Sequence, residues 1–208
     1  MPRLHSGPKA RTLGTVILLP AAIMCLTGSA PDPGDEPLLN NGSFETPSLA
    51  EEAHDGSRPR HWTVFGSIEG DVRVQVADTR AHHGTQSCRV SSPVRAAAYQ
   101  GLFQALPVAH RDRVVFRVHV LNDPSDPMRG SMYGQVAIEW KDTSGQEIDR
   151  IHGPIWKTGL STTKWHKVQV AATAPNDAAT AHLVITQFDG DAPGGGAFLV
   201  DFAEAEKQ

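Results

Sequence analysis

The chain has 208 residues, of which 39% are apolar and 20% charged, with a formal net charge of −4. The first thirty residues carry Arg3, Lys9 and Arg11 and no acid, so the remainder holds 16 basic against 23 acidic residues. That balance excludes a basic nucleic-acid footprint, and nothing beyond the N-terminus approaches a membrane span.

The N-terminus reads as an export signal. Basic residues precede the apolar run TLGTVILLPAAIMCL, and small residues follow in Thr27-Gly28-Ser29-Ala30. We expect a signal peptide over 1–30, a linker over 31–37 (PDPGDEP) and one domain over 38–208. The chain is then secreted or held in the cell envelope. A lipoprotein reading places a lipid anchor on Cys25, with Leu26 to Pro37 as the tether, although Met24 stands where such sites take Gly, Ala or Ser. Cys88 is the other cysteine, alone in the mature domain, and reads as a small buried hydrophobe.

The domain opens on LLNNGSFETP. Asn40, Asn41 and Gly42 tolerate left-handed backbone and predict a tight bend. Strand signals follow as period-two alternation. Val72, Val74 and Val76 share one face, as do Val114, Phe116, Val118 and Val120, with Arg117 and His119 opposite. Val136, Ile138 and Trp140 make another such row, and LVITQF and AFLVDF continue the pattern toward the C-terminus. Turn signals separate them at HHG, KDTSG, APND and DGDAPGGG. Many short alternating strands between such turns predict an all-β, antiparallel two-sheet β-sandwich of jelly-roll type. In such a fold one face of each sheet makes the core and the other is free to bind.

No complete catalytic motif is present: no GxSxG, HExxH or P-loop, and no cysteine pair for zinc. Glu147-Ile148-Asp149-Arg150-Ile151-His152 begins like a strand of glycosidase carboxylates, but His152 stands where the last acid is needed, so the segment reads as a solvated strand. The adjacent His82 and His83 would point to opposite faces of a strand and could not share one ion. His119 reads equally as a ligand-facing group or as part of a solvated face. Trp62, Trp140 and Trp165 read as structural. Tyr99 opens YQGLFQALPV with Gln100 and Gln104 nearby, which fits a hydroxyl-reading face as well as it fits a sandwich edge.

The order of the pieces is distinctive. Asn41-Gly42-Ser43-Phe44-Glu45 comes first, then Pro59-Arg60-His61-Trp62, then Ala81-His82-His83-Gly84-Thr85-Gln86-Ser87. Tyr99 stands eight residues before Pro107, and Phe198-Leu199-Val200-Asp201-Phe202 closes the chain. This series resembles the carbohydrate-binding modules of the cellulase-C type, families four, nine and twenty-two, which share the galactose-binding-like jelly roll. The resemblance implies a structural calcium held by Glu45 and Asp201, with oxygens near Ser43 and Thr85 completing a hard-oxygen shell. It also implies a polysaccharide or glycan cleft on the outer face of one sheet, with Tyr99 stacking and Gln104, Arg117, His119 and Gln187 bonding hydroxyls. The expected function is non-catalytic glycan binding by a monomer. The alternatives are a structural or adhesive surface module with protein contacts, and a small glycan-active enzyme.

Overall fold

The computed structural model describes residues 37–46, 58–69 and 71–208, which fall within the unit Glu36–Gln208. The expected signal peptide, the possible lipid site at Cys25 and the linker up to residue 36 lie outside the described residues.

Ten strands follow in chain order: β1 (Thr63–Gly66), β2 (Val74–Ala77), β3 (Ser87–Ser91), β4 (Tyr99–Pro107), β5 (Arg113–Asn122), β6 (Tyr133–Lys141), β7 (Glu147–Trp156), β8 (His166–Thr173), β9 (Thr180–Phe188) and β10 (Ala197–Lys207). They form two antiparallel sheets of five strands, one ordered β1-β4-β9-β6-β7 and the other β2-β3-β10-β5-β8. The expected two-sheet sandwich is what the chain adopts. Consecutive strands often part company: β4 and β5 lie in different sheets, as do β9 and β10.

The alternation read from the sequence sets the core. Val114, Phe116, Val118 and Val120 face inward from β5, and Val136, Ile138 and Trp140 face inward from β6, all fully buried. Phe198 and Val200 meet them from β10, with Trp156 edge-on to Phe198 at 5.1 Å between ring centres. Cys88 is buried among them, and burial pushes its thiol pKa up, so it is the inert hydrophobe its surroundings suggest.

The opening bend closes one edge of this core. Asn41 takes the left-handed conformation (φ 52°), as expected, and so does Phe44 (φ 56°). Gly42 is needed for another reason: a Cβ there would collide with the carbonyl of Ala203 on β10. The bend drives Phe44 into the core, where its ring lies 5.2 Å from that of Trp62.

Candidate functional site: an aromatic groove with an ionic end

Strand pairing predicts which side chains share the outer face of the first sheet. Tyr99 pairs with Phe188, which pairs with Tyr133. Two residues along, Phe65 pairs with Gly101. Phe103 pairs with Val184, then His182 with Glu139, Glu139 with Arg150, and Lys141 with Glu147. Apart from Tyr133 and Gly101, these outward positions line a groove of about 430 Å³.

Its rings form a continuous series. Tyr133 stacks on Phe188 at 4.9 Å and 16°, and Phe188 lies 6.4 Å from Tyr99. Phe65 follows at 6.4 Å from Tyr99 and 6.2 Å from Phe103. Phe103 then stacks on the imidazole of His182 at 4.3 Å and 15°. Small residues make the floor between the rings. A Cβ at Gly101 would collide with the Ile185 carbonyl and press on the Phe65 ring, so glycine here lets the ring lie against the sheet.

The far end is ionic. Lys141 Nζ lies 3.0 Å from Glu147 Oε2 and 3.4 Å from Glu139 Oε2. Arg150 Nη2 lies 2.8 Å from Glu147 Oε2 and 2.8 Å from Glu139 Oε1, and its Nε donates to Glu147 Oε1 at 2.9 Å. Two acids and two bases thus close a ring of ion pairs. The Arg150 hydrogen bonds, helped by Lys141, outweigh desolvation and hold the Glu147 pKa down at about 2. Burial, reinforced by nearby Lys141, pushes the His182 pKa below its usual value and so disfavours the charged form of the ring stacked on Phe103.

Of the residues expected at a glycan face, Tyr99 lies in this groove and is 45% exposed. The other four do not join it. Gln104 stands five residues from Tyr99, an odd step along a strand, so it faces inward. There it receives the backbone N–H of Asn40 at 3.0 Å and donates to the Asn40 carbonyl at 2.5 Å, fastening the opening bend. Gln187 is fully buried on the inner side, register partner of Gln100 rather than of Tyr99. Arg117 and His119 are on β5, in the other sheet. Arg117 is engaged by Glu206 and by Gln169, and the His119 ring stacks on His82 at 3.8 Å. Phe65, Phe103, Phe188, His182, Glu139 and Lys141 went unread as site residues in the sequence, and Glu147 and Arg150 read there only as part of a solvated strand. The signal was present: with Val136, Ile138 and Trp140 inward, Glu139 and Lys141 must face out.

The residues expected to hold calcium do converge, but on N–H groups. Glu45 Oε1 accepts from the backbone of Thr85 at 2.9 Å and of Gln86 at 2.8 Å, and the Thr85 hydroxyl donates to Glu45 Oε2 at 2.9 Å. Asp201 Oδ2 accepts from the backbone of His82 at 2.6 Å and of His83 at 2.9 Å, while Oδ1 accepts from Phe202 at 2.6 Å. Ser43 lines a separate shallow hollow with His83 and Phe202. Desolvation works against the Glu45 charge, yet the bonds from Gln86 and Thr85 bring its pKa below the usual value. For Asp201 burial prevails and the pKa is raised. A hard cation needs oxygens turned toward it, whereas every carboxylate oxygen here meets a hydrogen-bond donor. The donor set therefore does not fit calcium as arranged. Among the described residues no three His, Cys, Asp or Glu side chains are grouped to hold a metal ion.

No family model matches the chain, and no curated protein sequence does. Solved structures match at the level of fold. The xylan-binding domain CBM22-1 of Paenibacillus barcinonensis Xyn10C superposes with a TM-score of 0.54 at 18% identity, over 80% of this chain and 91% of that one. The C-terminal family 22 carbohydrate binding module of Clostridium thermocellum Xyn10B gives 0.54 at 18%, over 84% of this chain and 96% of that one. This chain has the jelly-roll fold of the carbohydrate-binding modules. The same jelly roll matches the enzymatically active domain of bacteriophage CBA120 tailspike protein 4, with a TM-score of 0.57 at 13% identity, over 83% of this chain but only 21% of that one. The jelly roll alone therefore does not assign an activity, and the groove on its first sheet must carry the functional argument.

Proposed function

We propose that the domain is an exported, monomeric module that binds polysaccharide or glycan in the groove of its first sheet without cleaving it. The observation that carries this reading is the series of rings from Phe188 through Tyr99 and Phe65 to Phe103. Flat apolar rings suit the C–H faces of sugar rings, and the polar groups at the groove end suit their hydroxyls. Export rests on the leader-like first thirty residues. Among the described residues no helix is long and apolar enough to cross a membrane.

The non-catalytic part rests on the ion pairs. Glycoside cleavage needs one carboxyl that can give up a proton near neutral pH. Glu147 is held far below that range, and Glu139 is bound by the same two cations. An adhesive role would call for a broad apolar outer face, whereas this face is grooved. Affinity-gel electrophoresis against xylan, β-glucan and cellulose tests the proposal. Retardation in at least one gel, abolished by Tyr99→Ala, is the expected result. No retardation in any gel sinks it.

A further inference from the structure

The second sheet carries a hollow of its own, away from the groove. β2 is an edge strand there, and its register with β3 sets Gln75 beside Arg89 on the outer face. Pairing continues one step further, where the Ser91 N–H donates to the Arg73 carbonyl at 3.1 Å. The segment after β5 crosses this face. It is held to the start of β10 by bonds from the Ala197 N–H to the Asp126 carbonyl and from the Arg129 N–H to the Gly195 carbonyl, each 2.8 Å. Gly196 allows that close approach, since a Cβ there would collide with the Pro127 carbonyl. β2, β3 and the crossing segment border a pocket of about 450 Å³, with Asp71, Arg73, Gln75, Arg89, Asp126 and Arg129 in its lining.

Three guanidinium groups are chained around this pocket. Arg73 Nε and Nη2 meet the two oxygens of Asp71 at 2.6 and 3.1 Å, and its Nη1 donates to the Ser92 carbonyl at 3.4 Å. Arg89 Nη1 donates to the Ser91 hydroxyl at 3.0 Å and Nη2 to Asp126 Oδ2 at 2.9 Å. Arg129 Nη1 reaches Asp126 Oδ1 at 2.8 Å and the Pro127 carbonyl at 3.1 Å. Behind them, Arg89 Nε donates at 2.6 Å to Asp123, whose side chain is 1% exposed and turned from solvent.

The two lining carboxylates are spent on fixing the guanidiniums, because all four of their oxygens are bonded. The guanidiniums are not spent. These contacts leave one hydrogen on each terminal nitrogen of Arg73 and Arg89, and the whole Nε–Nη2 edge of Arg129. In the lining, cations outnumber carboxylates by three to two. Arg89 is the fixed base, at 20% side-chain exposure, while Arg73 and Arg129 reach into solvent at 46% and 62%.

An entering group therefore meets hydrogens and a surplus positive charge. Two parallel N–H groups on one guanidinium edge match the paired oxygens of a carboxylate or a sulfate. A neutral hydroxyl accepts such hydrogens singly and gains nothing from the charge. Because two of the three cations are exposed, the binding is weak and falls with added salt.

We propose that this pocket is a second binding site, for an oxyanion: a carboxylate or sulfate group, borne by a sugar or free in solution. It lies on the other sheet from the aromatic groove and stands apart from the glycan reading of that groove.

NMR titrations of the nitrogen-15-labelled full chain test it, with sulfate, glucuronate, acetate and glucose added at constant ionic strength. Sulfate and glucuronate are expected to shift the backbone signals of Gln75, Ser91 and Gly196 saturably, and glucose to leave them in place. Arg129→Gln and Arg73→Gln should each weaken the binding about tenfold, the effect of losing a hydrogen bond between charged groups. Both positions are exposed, and the dispersion of each variant's spectrum reports its folding. Should either variant unfold, the wild-type contrast between anions and glucose decides. Glucuronate binding more tightly than acetate upholds the site and gives it to sugar-borne acids. Equal affinities uphold it for the free ion, and shifts with sulfate alone uphold it for tetrahedral oxyanions. No saturable shift at these residues with any anion, equal shifts with glucose, or unchanged affinity in both variants overturns the proposal. Retardation by neutral gels is a separate readout, so that failure leaves the groove reading standing.

Discussion

Glu45 and Gln86 are joined across 41 residues of sequence, the carboxylate accepting the Gln86 backbone N–H at 2.8 Å. With the adjacent bond from Thr85, this ties the opening bend to the 82–86 loop. Glu45→Gln keeps the shape but turns an amide hydrogen toward N–H donors. After allowance for solvent at this site, we expect a loss of about 1 kcal/mol, or a melting temperature lower by roughly 2 to 4 °C. Because donors rather than oxygens surround both carboxylates, excess chelator should leave the wild-type melt unchanged. A drop in chelator, reversed by added calcium, would restore the ion to this place.

Phe44→Ala should be far more costly. The ring is fully buried and packs on Trp62. Truncating such a ring removes its burial and leaves a cavity, a loss of about 3 to 5 kcal/mol. Alanine still has to adopt the left-handed backbone at this position, so the variant recovers nothing there. Denaturant unfolding with an unchanged slope measures this, and a loss below about 1 kcal/mol would mean that the ring is not a core plug.

Gly101→Ala tests the groove floor. The added methyl must displace both the β9 backbone at Ile185 and the Phe65 ring. We expect about 1 to 3 kcal/mol of destabilisation, as for other overpacked sites, together with weaker gel retardation. Retained affinity in a destabilised protein would show that Phe65 takes no part in stacking.

Acid should weaken the fold in two stages of the same sign. Burial, and then the stacked His82, lower the pKa of His119 from 6.5, and burial and Lys141 do the same for His182. Below pH 6.5 the unfolded chain therefore binds more protons at these sites, and stability falls as pH falls. Glu147 titrates at about 2 in the fold against an ordinary 4.5, so its contribution, present above pH 4.5, is lost as pH falls toward 2. Melting temperatures from pH 8 to pH 3 should decline below 6.5 and decline further below 4.5, less the opposing contribution of Asp201, whose raised pKa favours the folded state as pH falls. His182→Gln should shrink the first stage only. A melt that rises on acidification through pH 6 contradicts the histidine assignments.

The sandwich was legible because β5, β6, β9 and β10 repeat apolar residues at every second position, and burial enforces that parity. The groove was legible only at Tyr99. Gln104 was misplaced because a polar side chain suggests water, while its partners are the backbone groups of Asn40, 64 residues away. Arg117 and His119 were misplaced because no local pattern tells that β5 leaves the sheet of β4. Face is a local property of a strand, but sheet membership is a property of the whole topology. The 82–86 loop raised the same difficulty in another form. Residue types named the acids that would meet there, but only coordinates show that the loop turns its N–H groups toward them.

Leu121 and Leu199 add a last consideration. They alternate away from the core on β5 and β10, yet they are 1% and 0% exposed. Arg89, register partner of Leu199, reaches Asp123 at 2.6 Å and Asp126 at 2.9 Å, so the segment after β5 is pinned along this side. That part of the second sheet is roofed by its own chain, while the first sheet keeps an open groove. The two broad sides of the sandwich are therefore unequal in what they can offer a large, extended molecule. Laid against a surface of repeating units, the domain would have a front and a back.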